Sequence, residues 1–274
     1  MTPTSDFLAA HLGSKGWPVF RLGFAATYRP GERTIRRALD HGVNYLFGFA
    51  VDTNLTAVVR GMTAGQREKV ILATGGYNWL VGHGSLKKSL DKALCRYRTD
   101  YIDVFHFLGI VRRKDFPPRI EEELNALRVG GKVKATAISC HDKRFAGELA
   151  ARGAVDTLMI RYNAAHTGAE TEIFPYVPAH RTGIITFTAT RWRRLLVRPR
   201  GWPESEPVAT AGQCYRFVLS NPNVHVALTA PSNQEQLLQN LREVQRGPLP
   251  EDEMAFVRRF GTYVHDHAGW FMGQ

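Results

Sequence analysis

Two apolar periodicities alternate along this chain, and that alternation constrains its fold more than any other feature. Short runs rich in β-branched residues fall at 19–24, 43–47, 70–74, 101–107, 132–138, 155–160, 183–188 and 224–228. Stretches of helical period lie at 32–41, 54–62, 85–96, 119–129, 142–152, 170–179, 209–220 and 233–246. A short apolar run without strict alternation suits a strand buried on both faces, the condition of a parallel sheet. Parallel neighbours need a crossover connection, and a helix after each strand supplies one. Eight such pairs in 274 residues fit a closed (β/α)8 TIM barrel, an α/β architecture, better than an open sheet. An extra C-terminal helix is expected at 252–267. No linker or low-complexity tract interrupts the pattern, so residues 1–274 read as a single domain.

Composition narrows the classes. No run approaches the ~18 apolar residues of a membrane span, and residues 1–15 lack the basic-then-apolar order of a secretory signal. Cys95, Cys140 and Cys214 are odd in number and scattered, which points to a reducing, cytoplasmic setting without disulfides or a cysteine metal site. The net charge of +11 raises the question of a polyanionic partner. The arginines are spread along the chain and no nucleic-acid motif accompanies them, which argues against nucleic acid and leaves a basic surface or the phosphates of a small molecule. In the tail, His265 and His267 lie two apart with no third ligand in sequence, so no metal is expected.

Several segments carry a resemblance in order and spacing: Glu32-Arg33-Thr34-Ile35-Arg36-Arg37-Ala38-Leu39 running into Gly42-Val43-Asn44-Tyr45; Val70-Ile71-Leu72-Ala73-Thr74; Thr99-Asp100-Tyr101-Ile102-Asp103; Gly131-Lys132-Val133-Lys134-Ala135 with Ile138-Ser139; Tyr162-Asn163; and Ser232-Asn233-Gln234-Glu235. Over roughly 18–245 the chain resembles the aldo-keto reductase superfamily. The resemblance implies hydride transfer from a nicotinamide cofactor to a carbonyl, with a tyrosine as proton donor, a lysine–aspartate pair tuning it, and a histidine orienting the carbonyl. In this chain those places fall on Asp52 (tyrosine), Gly75 (lysine), Phe47 (aspartate) and Leu108 (histidine). Both partners of the buried ion pair are replaced together. Loss of one alone would leave an uncompensated charge at a cost of about 3–5 kcal/mol, whereas an apolar replacement of both is often neutral.

Candidate replacements are few. Residues two apart on a strand share a face, so His106 points inward if Leu108 does. Paired with Asp52 it could perform acid–base chemistry, and the alternative is a structural core histidine. Tyr77, followed by Asn78 and Trp79, is another donor at the mouth, and Arg161 lies there after the sixth run. By resemblance, Ser139 and Cys140 flank the nicotinamide carboxamide, Met159 replaces a glutamine there, and Phe187 is the stacking ring. Cys140 could form a nucleophilic dyad with His141 or with His106, or be a passive small residue. For the phosphate and adenosine half, Arg191, Arg193 and Arg194 lie in the covering loop. Ser232, Asn233, Gln236 and Asn240 lie at a helix start, where free N–H groups favour phosphate. Gln236 stands where many relatives use an arginine, leaving NADP against NAD open. The implied function is a divergent barrel that is not a conventional carbonyl reductase: a repurposed enzyme or small-molecule-binding pseudoenzyme. The alternatives are an NAD(P)H oxidoreductase with another proton donor, and a non-catalytic scaffold.

Overall fold

The computed structural model describes residues 7–77, Tyr77 by its backbone only, and 85–267. Two strands, β1 (Ala9–Leu12) and β2 (Trp17–Phe20), form an antiparallel hairpin. Eight more close into a barrel: β3 (Leu22–Ala25), β4 (Tyr45–Phe47), β5 (Ile71–Tyr77), β6 (Ile102–Ile110), β7 (Val133–Cys140), β8 (Thr157–Arg161), β9 (Gly183–Phe187) and β10 (Val226–Thr229). They pair in chain order, all parallel, and β10 returns to β3. Helices surround the barrel, and Glu251–His267 follows it as the expected extra helix. Among the described residues no helix is long and apolar enough to cross a membrane.

Local chemistry starts several helices where the sequence suggests. Thr210 accepts from Gln213 N while the Gln213 side chain caps Thr210 N, a reciprocal pair that satisfies two orphan donors. Asp142 accepts from Phe145 N at 3.1 Å. The expected helix at 170–179 is instead broken into Ala169–Glu172, a 3-10 turn Phe174–Tyr176 and Val177–His180. Pro175 and Pro178 lie inside it, and a helix interior cannot keep its hydrogen bonds across them.

The expected strand at 19–24 also divides. Its first half belongs to the hairpin and its second to the barrel, and Arg21 sits at the joint. The hairpin closes the N-terminal end of the barrel: Leu12 and Val19 are buried in the interior cluster with Tyr45, Ile71 and Val226. Strand alternation sorts the rest. Ala73, Val104, Leu108, Ala137, Met159, Ile185 and Leu228 pack inside, while Leu72, Phe105, Phe107, Ile138, Cys140 and Ile160 pack outward under the helices.

The hairpin turn sits very close to the start of β9. Gly13 has φ +50°, and a Cβ there would lie 2.5 Å from Gly183 N. Gly13→Ala combines a left-handed penalty of about 1–2 kcal/mol with overpacking of similar size. Urea unfolding should report a loss of about 2–4 kcal/mol. An unchanged midpoint would mean that the hairpin does not seal the barrel.

Candidate functional site at the barrel mouth

Inward residues at the C-terminal ends of the strands build the candidate site, the end at which such barrels place chemistry. At its floor Phe47 is 2% exposed. Its ring stands edge-on to His106, with centroids 5.5 Å apart, and to Phe49 at 4.8 Å. Leu108 completes an apolar surface. Gly75 lies beside this floor in the tightest approach of β5 to β6. A Cβ at position 75 would fall 2.2 Å from the His106 carbonyl oxygen, so any side chain there requires the backbone to shift. Gly75→Ala should therefore lower stability by about 1–3 kcal/mol in urea unfolding.

His106 is fully buried. Its Nδ1 lies 3.2 Å from the Thr74 carbonyl, which can only accept, so Nδ1 carries the proton and Nε2 is left without a partner. Burial lowers its pKa to about 4. Asp52 is 2% exposed and so is not an open loop carboxylate. Its Oδ2 accepts from Phe49 N at 2.7 Å, directly ahead of the helix Thr53–Arg60. Burial raises its pKa, opposed by the Phe49 N–H and by the charges of Arg29 and Arg96. No hydrogen bond or ion pair joins Asp52 to His106. The Tyr77 side chain, Asn78 and Trp79 lie outside the described residues.

On the opposite wall Ser139 is buried on the inner side of β7 and Phe187 is half-buried at the end of β9. Cys140 packs outward. Its thiol donates to the Asp142 carbonyl at 3.2 Å and burial pushes its pKa up to about 12, which suits a passive residue rather than a nucleophile. The His141 ring meets Phe187 edge-on at 5.7 Å, and its Nδ1 is buried without a partner. Arg161 ends β8 in register with Phe187 and is 7% exposed.

The sequence reading missed His166. It is buried beside this group, its Nδ1 3.1 Å from Asn163 Oδ1, and its pKa falls to about 3 through burial first and then the charges of Arg161, Arg191, His265 and Lys143. The available signal was an Asn three residues before a His just past a strand end, a pairing that closes the turn between Asn163 and His166.

The remaining cofactor candidates divide by exposure. Arg191 is 3% exposed and donates to the Val264 carbonyl at 2.7 Å, tying its loop to the C-terminal helix. Arg191, Trp192 and Arg193 all have φ between 50° and 70°, a left-handed run that costs L-residues about 1–2 kcal/mol each. Arg193, Arg194, Arg198 and Arg200 line a groove with Trp192 and His267, and no carboxylate is among its described lining residues. At the start of Gln234–Val244, Asn233 accepts from Gln236 N and the Gln236 side chain accepts from Ser232 N, both at 2.9 Å. These side chains cap amides that a phosphate would otherwise meet. Asn240 is buried and donates to Thr229 Oγ1 at 3.1 Å.

This barrel is the fold of the aldo-keto reductases. The holo form of an aldo-keto reductase from Bacillus halodurans matches with a TM-score of 0.77 at 20% identity, over 92% of this chain and 95% of that one. An aldo-keto reductase from Klebsiella pneumoniae in complex with NADP and acetate matches with a TM-score of 0.73 at 19% identity, over 93% and 95%. No protein-family model and no curated protein matches the chain.

Buried neutral histidines make stability depend on pH. Folding lowers the pKa of His106 from 6.5 to about 4, so the unfolded chain binds its proton first as pH falls. The contribution of a neutral His106 is full above pH 6.5 and declines towards pH 4. His106→Met should reduce that slope by up to about 1.4 kcal/mol per pH unit, read from urea unfolding at several pH values. An unaltered slope would mean that His106 is not held neutral.

Proposed function

We propose that this protein binds a nicotinamide dinucleotide, NADP or NAD, at the barrel mouth and does not reduce carbonyls through a tuned tyrosine. The observation that carries the second half is the Gly75–His106 contact. It leaves no room for a lysine side chain, and Phe47 and Leu108 give the floor no replacement acid. The first half is supported by the Klebsiella neighbour, whose structure is a complex with NADP and acetate.

The residues present fit the phosphates and the ring of such a ligand. Arg193 and its neighbours would hold phosphates in a groove free of carboxylates, and Phe187 would lie against a flat ring. The carboxamide end is weaker, because Met159 cannot donate a hydrogen bond and the Cys140 thiol is engaged with Asp142. A bound reduced nicotinamide supplies hydride. Of the chain's own groups, His106 is buried and Asp52 is committed to Phe49 N, so neither is poised to give the matching proton. The free Cys95, Cys140 and Cys214 support a reducing, cytoplasmic compartment.

Calorimetric titration with NADPH and NADH tests this reading, together with turnover of a test aldehyde. The expected result is a micromolar Kd, about −8 kcal/mol, with no NADPH consumed. Phe187→Ala combined with Arg193→Ala should weaken binding at least about tenfold, near 1.4 kcal/mol. Aldehyde reduction by the wild type would overturn the non-reducing half and turn attention to Tyr77. Absence of binding at millimolar nucleotide would overturn the other half.

A further inference from the structure

Among the described residues the buried arginines are Arg21, Arg67, Arg161, Arg191 and Arg216. Four of them have their terminal nitrogens or Nε engaged, although the Nε of Arg21 and of Arg67 is buried without a partner. Arg21 donates to the carbonyls of Phe7, Leu219, Asn221 and Val224. Arg67 binds the Asp103 carboxylate at 2.7 Å. Arg191 donates to Val264 O, and Arg216 reaches Gly247 O, Pro248 O and Glu253. Arg161 differs from all of them. Its Nε is buried with no partner, and among the described residues no other nitrogen of its guanidinium makes a hydrogen bond or ion pair.

Its surroundings do not compensate it. The charge that bears on Arg161 is another cation, Arg191, and Arg161 in turn depresses the protonation of His141 and His166. A buried charge is ordinarily paired, so an unpaired guanidinium among cations, on the inner side of a strand end at the mouth of a barrel, lacks an anion. His141 supplies a second unpartnered buried nitrogen, and its ring packs on Phe187, the register partner of Arg161.

We propose that Arg161 and His141 form an oxyanion-binding subsite at the barrel mouth, which takes the carboxylate or phosphate group of a small-molecule ligand. The planar fork of the guanidinium can donate two parallel N–H bonds to either group. The subsite rests on the reading of the mouth as a ligand site, but its chemistry does not require a nucleotide.

The test is calorimetry of the full chain with sodium acetate and, separately, with inorganic phosphate, in the absence of nucleotide. Failure of NADPH to bind therefore leaves this test intact. Wild type should bind at least one of the two anions with a millimolar Kd, and Arg161→Met should bind it at least about tenfold more weakly. The thermal midpoint of Arg161→Met should be unchanged or higher, because an apolar side chain replaces an uncompensated buried charge. A merely structural arginine would give the opposite, a lower midpoint, and that result overturns the proposal. So does equal binding by the variant, or no binding of either anion by wild type at about 100 mM. A repeat with saturating NADPH identifies the source of the oxyanion while keeping the site. Persisting acetate or phosphate binding assigns it to a second ligand, and displacement assigns it to the nucleotide's own phosphates.

Discussion

The barrel has an inside only because β10 returns to β3, and that seam is short. Three residue pairs join the strands, Ala227 with Leu22, Leu228 with Gly23 and Thr229 with Phe24. Arg21 reinforces it from both ends. Its backbone carbonyl accepts from Ala227 N, and its buried side chain gathers carbonyls from the segment leading into β10 and from Phe7 ahead of the hairpin. Desolvation lowers its pKa to about 10, still far enough above neutral to keep the charge. One guanidinium thus ties the hairpin plug, the seam and the last crossover together, and the convergence of strand ends at the mouth depends on that closure.

The same use of arginine explains part of the positive charge. Arg21, Arg191 and Arg216 act as donors to backbone carbonyls at helix ends and in loops. Asp103 draws in Arg67 and Lys134 while accepting from Leu72 N. These cations serve the fold. A net charge of +11 read from composition cannot separate them from cations that face a ligand.

The fold was legible because its signal is periodic and repeated: each strand and each crossover restates the same pattern, so an error in one element does not change the topology. Boundaries failed where one apolar run served two elements, at 19–24, and where prolines interrupt a helical period, at 170–179. The hairpin escaped notice because four-residue strands around a left-handed turn carry too little periodicity. In the site, the inward direction of Phe47, Gly75 and Leu108 was legible because strand alternation sets it. The orientation of Asp52 was not, since it depends on a single loop amide, Phe49 N. Nor could sequence distinguish Arg191, pinned to a helix 73 residues later, from Arg193, left at the surface.

The close approach of β5 to β6 at Gly75 also bears on which sequences are mutational neighbours of this one. A lysine introduced at that position meets a carbonyl oxygen before it meets any partner. An aspartate in place of Phe47 would lose the edge-on ring contacts with Phe49 and His106. The change at position 75 waits on a movement of the strand itself. The floor of this barrel is therefore closed to a long side chain at position 75 by its own backbone, whatever stands at position 47.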